Sequence, residues 1–202
     1  MDILTLAAAG AIGYAAGSVS FAQVVARGWP ALDVRRLREQ SAGASTVYRL
    51  RGSHAAAAVL LGDVLKGVAA VVLARWLMSE QAAMTAGAAA VAGHNWPAFH
   101  GFKGGRGVAP AAGVLAALAP VAMGWSVAPA LAVFVVTRNI LMASAGFFWS
   151  GAALMWAMGY PDALVLFALA LPAAVGVYAL AARRRWPLAE RWRSTFLRGT
   201  PR

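Results

Sequence analysis

Seven apolar segments run through this chain, at 3–26, 55–78, 82–99, 107–119, 120–137, 139–158 and 163–182, and they take up most of its 202 residues. A helix needs about 20 mainly apolar residues to cross the hydrocarbon core of a bilayer. The first two and last two segments reach that length easily. Segment 82–99 is shorter, and the run 107–137 is long for a single helix, with Ala119-Pro120 offering a break between two short ones. Because backbone polar groups in lipid must be satisfied within the segment, such runs are expected to be helical. The expected fold is therefore all-α: a polytopic integral membrane protein of about seven transmembrane helices, in one domain over 1–202.

Composition agrees. Hydrophobic residues make up 61% of the chain and charged residues 12%, where a soluble domain is nearer half and a quarter. A net charge of +11 would otherwise invite a nucleic-acid partner, but the cations lie between apolar segments and form no soluble basic domain. No nucleic-acid partner is expected. With no cysteine, disulfide and thiolate chemistry are excluded. The chain starts Met1-Asp2 without a positive leader, so the first apolar run is expected to be retained.

The cations orient the helices. With seven spans, one side of the membrane carries 27–54, 100–106, Arg138 and 183–202, and these hold every Lys and Arg except Lys66 and Arg75. The other side carries Asp2, Glu80 and Asp162. Cytoplasmic loops are the positive ones, so the N-terminus is expected outside and the C-terminus in the cytoplasm, with 183–202 as a basic tail. Six spans would strand Arg138 or the C-terminal arginines on the wrong side.

Three stretches at the cytoplasmic side carry chemistry. The 28-residue link 27–54 is too long for a mere connection, and its small polar centre, Ser41 to Thr46, is more than a topology signal. In "GDVLKG", 62–67, Asp63 and Lys66 are three apart on a helix, so they share a face and pair; charges inside a span are functional suspects. Arg75, near the far end of that helix, is expected to snorkel. The third stretch is "GHNWPAFHGFKGGRGVA", 93–109, whose turn 101–107 holds four glycines, Lys103 and Arg106. Lying at the start of the next helix, it offers bare N–H groups, a helix dipole and two full charges to an anion. Walker A order is absent, so an ordinary nucleotide triphosphatase is not indicated. His94 and His100 are six apart, without acidic or thiolate companions, and no metal is expected there. Phosphate at a membrane surface is the natural ligand. A transporter would instead show broken helices and polar residues at mid-bilayer depth.

Together these blocks resemble the bacterial membrane-embedded glycerol-3-phosphate acyltransferases that use acyl phosphate as donor. Tyr14, Gly17, Ser18 and Phe21 match the pattern of the family's first helix. Asp33, Arg35, Gly43, Ala44 and Arg49 match its first cytoplasmic loop. Asp63, Lys66 and Gly67 match its Asp-x-x-Lys-Gly block. Gly93, His94, Pro97, Phe99, Phe102, Gly104, Gly105, Gly107, Val108 and Ala109 match its third. The departures are specific: Arg106 stands for the signature lysine, Glu39 stands at the family's serine with Ser41 two positions on, and the C-terminal His and Asn have no counterpart after Tyr178.

The resemblance implies acyl transfer from acyl phosphate to glycerol 3-phosphate, giving lysophosphatidic acid in phospholipid synthesis at the bacterial inner membrane, without a cofactor. Gly104, Gly105 and Gly107 would cradle a phosphate, Arg49 and Lys103 would hold the glycerol phosphate, and Arg106 would meet developing charge. Ser41 would be the available hydroxyl, His94 would orient the turn, and Ser18, Asp63 and Lys66 would complete the binding site. The alternative is a relative that binds phosphorylated lipid precursors with impaired or altered chemistry. Nothing in the sequence fixes an oligomeric state.

Overall fold

The computed structural model describes residues 2–28 and 43–185, and among these it contains helices and no strand. In chain order the helices are α1 (Ile3–Gly17), α2 (Phe21–Gly28), α3 (Ala44–Arg51), α4 (Ser53–Leu77), α5 (Glu80–Asn95), α6 (Val108–Leu118), α7 (Pro120–Trp125), α8 (Val127–Thr137), α9 (Ile140–Ala157) and α10 (Asp162–Arg185). A single 3₁₀ turn, Ala98–His100, follows α5.

Each of the seven apolar segments is helical, but among the described residues only five stretches are long and apolar enough to cross a membrane: Ile3–Gly28, Ser53–Leu77, Pro120–Thr137, Ile140–Ala157 and Asp162–Ala182. α5 has 16 residues and α6 has 11. At 1.5 Å per residue α6 is only about 16 Å long, roughly half the hydrocarbon thickness. The break in 107–137 falls at Ala119, as the Ala-Pro pair requires, and a second lies at Ser126, whose hydroxyl donates to the Met123 carbonyl at 2.7 Å. Two features are new. The first apolar segment is interrupted at residues 18–20, and the link 27–54 contains α3.

Lipid gives helices no hydrophobic reason to associate, so close backbone contact between small residues does that work. α1 lies along α5 in this way. A Cβ on Gly13 would collide with the Ala86 carbonyl, one on Gly17 with the Ala90 carbonyl, and one on Gly93 with the Tyr14 carbonyl. The order of these contacts makes the two helices parallel. α4 meets α6 through Gly67, against the Pro110 carbonyl, and Gly113, against the Val64 carbonyl. Val71, Val114, Leu115, Met123 and Met155 fill the main core, while Ala22, Ala26, Val47, Ala55 and Val59 fasten α2 and α3 to the start of α4. Trp76, Trp125, Trp149 and Trp156 are exposed, as a lipid-facing surface permits.

Arg75 does more than snorkel. Its guanidinium donates to both Glu80 carboxylate oxygens at 2.7 Å and to the Ala117 carbonyl at 2.9 Å. One fork thereby ties the ends of α4 and α6 to the start of α5, and fixes α5 antiparallel to both.

The glycine contacts make a test within one helix. Gly17→Val meets the Ala90 backbone, whereas Gly10→Ala meets nothing within 4 Å. Thermal unfolding in detergent is expected to show a loss of at least about 1–3 kcal/mol for Gly17→Val, and little change or a small gain for Gly10→Ala.

Candidate functional site

The site is built around a buried ammonium. Lys66, 5% exposed, projects from α4 into the gap left where the first helix breaks. That interruption frees the Val19 carbonyl, to which Nζ donates at 3.0 Å. Nζ also lies 2.7 Å from His94 Nδ1 and 2.8 Å from Asp63 Oδ1. The Asp63 contact is an ion pair with no donor aligned on that oxygen, and His94 Nδ1 lies 3.4 Å from it. The pair expected from the i, i+3 spacing forms, and it gains a partner from α5. A lysine donating to Nδ1 leaves the ring proton on Nε2, so all three groups hold a defined geometry.

His94 passes this order to the glycine-rich turn. Its carbonyl accepts the Gly105 N–H at 3.1 Å. Its ring covers Gly105 so closely that a Cβ there would collide with Nε2, and a Cβ on Gly104 would collide with the His94 carbonyl. Gly107 has φ +84° and starts α6 without a side-chain cap, a backbone that favours glycine. The N–H groups of Gly107, Val108 and Ala109 find no acceptor among the described residues. They project from the positive end of the α6 dipole. Lys103 is exposed and Arg106 half-buried on the same turn.

The segment before the turn is latched from two further helices. Tyr14 on α1 donates its hydroxyl hydrogen to the Trp96 carbonyl at 2.6 Å, and the Ala98 N–H reaches Ser18 Oγ at 3.4 Å. From α10, Tyr178 donates to the Asn95 carbonyl at 3.2 Å and packs edge-on to Trp96 at 4.7 Å between centroids.

The expected site residues thus fall into groups. Gly104, Gly105, Gly107, Lys103 and Arg106 form the turn. Ser18, Asp63, Lys66 and His94 are buried behind it and support it. Arg49 is exposed on the last turn of α3, where its Nη2 reaches Thr46 Oγ1 at 3.4 Å. Ser41, Asp33, Arg35 and Glu39 lie outside the described residues, as does the tail beyond 185. Two supporting residues were not singled out from the sequence, Tyr178 and Asn95. Asn95 is 4% exposed, and its Oδ1 has no partner among the described residues. An amide next to His94 in the last turn of an alanine-rich helix was the available signal.

Beside Arg106 and Val108 opens a cleft of about 320 Å³ between α9 and α10, with Phe148, Trp149, Ala168 and Pro172 among its walls. The glycine-rich turn with its two cations and the apolar cleft meet at Arg106.

The family model for glycerol-3-phosphate acyltransferase matches residues 7–186, and the chain belongs to that family. A glycerol-3-phosphate acyltransferase of Halalkalibacterium halodurans is 40% identical over 159 residues, covering 75% of this chain and 77% of that protein. One from Synechococcus is 41% identical over 178 residues, covering 86% and 83%. The structure of PlsY, an integral membrane glycerol 3-phosphate acyltransferase, in its glycerol 3-phosphate form superposes with a TM-score of 0.77 at 28% identity, covering 91% of this chain and 92% of that one. Its lysophosphatidic acid form gives 0.76 at 27% identity.

Removing one member of a buried ion pair leaves an uncompensated charge and costs about 3–5 kcal/mol. Lys66→Met is expected to lose stability on that scale in detergent unfolding. Adding Asp63→Leu is expected to restore much of the loss, as replacing a whole buried pair is often close to neutral.

Proposed function

We propose that this chain transfers a fatty acyl group from an acyl phosphate to glycerol 3-phosphate, releasing phosphate and lysophosphatidic acid. One observation carries the reading: the N–H groups of Gly107, Val108 and Ala109, without an acceptor among the described residues, sit beside Lys103 and Arg106 where the turn borders the apolar cleft. A phosphate bound at the turn beside a chain in the cleft places an acyl carbonyl at their junction.

Both substrates carry phosphate, so the protein's task is to bind two anions and bring a hydroxyl to a carbonyl carbon. Positioning and fixed charge supply much of such a rate. Gly104, Gly105 and Gly107 let the backbone approach the phosphate of one substrate, and Lys103 with Arg49 holds the other. Arg106 stabilises the oxyanion and the departing phosphate. The glycerol hydroxyl attacks the acyl carbon, the new ester C–O bond forms, and the bond from acyl carbon to phosphate oxygen breaks with its electron pair. The hydroxyl proton passes to a phosphate oxygen of the substrate, or through Ser41. A Ser41→Ala protein separates these routes: retained turnover selects the phosphate.

The same reading includes seven crossings, with α5 and α6 as short spans, the N-terminus outside and the basic C-terminus in the cytoplasm of a bacterial inner membrane. What supports it is the charge pattern, which sets Lys103, Arg106 and the other loop cations on one side. No feature among the described residues favours the binding-only alternative.

Acyl transfer by the purified protein tests the proposal. Lys103→Ala with Arg106→Ala is expected to lower kcat/KM by about 10²-fold or more while thermal unfolding stays near that of the parent. Equal turnover by the parent and the double variant would contradict it.

A further inference from the structure

The cleft beside Arg106 runs between α9 and α10 toward the main core. α9 lines it from Leu141 to Trp149, and α10 from Leu180 back to Ala168. The two helices are joined by the short link 158–161 and run antiparallel, so Leu141 and Leu180 share the Arg106 end while Phe148 and Ala168 share the far end. One side of the cleft is exposed along its length, with Leu180 at 62% near Arg106 and Trp149 at 65% beside Phe148. At the far end Phe148 and Ala168 are 6% and 1% exposed and belong to the main core. Between the two ends the α10 wall is Leu169, Pro172, Ala173, Val175, Gly176 and Ala179, most of them small.

The occupant is fixed by the reading that the donor is an acyl phosphate, on which this inference rests. Its phosphate belongs at the cationic mouth, and its alkyl chain belongs in the only direction the cleft extends from there. Lateral exposure along Trp149 and Leu180 lets the chain enter from the bilayer. From Leu180 to Ala168 the helix runs about 18 Å at 1.5 Å per residue. An extended alkyl chain advances roughly 1.25 Å per carbon, given bonds of about 1.52 Å at tetrahedral angles. The α9 wall from Leu141 to Phe148 is shorter, about 10 Å, so the cleft accommodates about 8 carbons up to the Phe148 ring and about 14 along the α10 wall to Ala168.

We propose that Phe148 and Ala168 form the stop that sets the acyl-chain length this protein prefers. A chain short of the stop leaves apolar surface unburied, and one that overruns it must bend or displace the core. Selection then comes from the volume of two side chains and not from any polar contact.

The test uses the full-length protein with a series of saturated acyl phosphates of increasing chain length, reading the ratio of kcat/KM for long against short donors. Ala168→Phe shortens the cleft and is expected to move this ratio about ten-fold toward short donors, the scale on which a pocket discriminates a methylene or two. Phe148→Ala lengthens the cleft and is expected to move it in the opposite direction. Ala168→Leu, a smaller insertion, is expected to shift it the same way as Ala168→Phe but less, and guards against misfolding of the larger variant. Opposite shifts from the two ends of one contact would support the stop, because general damage to the fold changes all donors alike. An unchanged ratio in every variant, or a shift in the same direction at both positions, would overturn it while leaving the acyl-phosphate reading intact. A parent protein that turns over no acyl phosphate of any length would overturn both.

Discussion

The structure depends on how the Lys66 ammonium is satisfied. A lone charge inside a membrane helix is expensive, and here α4 supplies the carboxylate of Asp63, α5 supplies His94, and the broken first helix supplies the Val19 carbonyl. Each partner comes from a different segment, so the contact fixes three helices at one level near the end of the bundle. The interruption at residues 18–20, which would leave a bare carbonyl in an apolar setting, becomes affordable because that carbonyl has a donor. The glycine contacts at Gly13, Gly17 and Gly93 keep α1 close enough for this to happen.

From that cluster the order passes outward. His94 backs Gly105 with its ring and accepts its N–H with its carbonyl, so the turn lies on the end of α5 and leads directly into α6 at Gly107. Tyr14, Ser18 and Tyr178 brace the residues just before it. The result divides the labour by chemistry. In the proposed function, buried charges shape the backbone, the backbone and two cations meet phosphate, and a separate apolar cleft takes the chain. Arg106 and Val108 stand at both places.

Much of this could be read from the sequence, and what could not has a physical reason. Apolar length announced the helices, and Ala119-Pro120 announced a break because proline cannot donate within a helix. The Asp63–Lys66 pair followed from helical spacing. The break at Ser18–Ser20 has no proline; Gly17, Ser18 and Ser20 are its only local marks, and Lys66 satisfies the Val19 carbonyl it leaves. α3 hides in a link rich in arginine, because a short helix on a small apolar patch leaves little periodic signal. His94 is 28 positions from Lys66, and Tyr178 is 83 from Asn95; such distances are closed by folding and not by local pattern. Arg75 looked like an isolated cation at a helix end because Glu80 lies beyond the intervening turn.

Glycerol 3-phosphate binding to Gly105→Ala, measured by calorimetry on the detergent-solubilised protein, tests most directly whether the turn must lie flat on His94 to hold an anion. A single methyl there meets the imidazole and lifts the turn, while the glycine contacts between α1 and α5 and between α4 and α6 stay as they are. The expected result is binding weakened at least about ten-fold, with an unfolding temperature close to that of the parent. Unchanged binding by a folded Gly105→Ala protein would contradict the central claim.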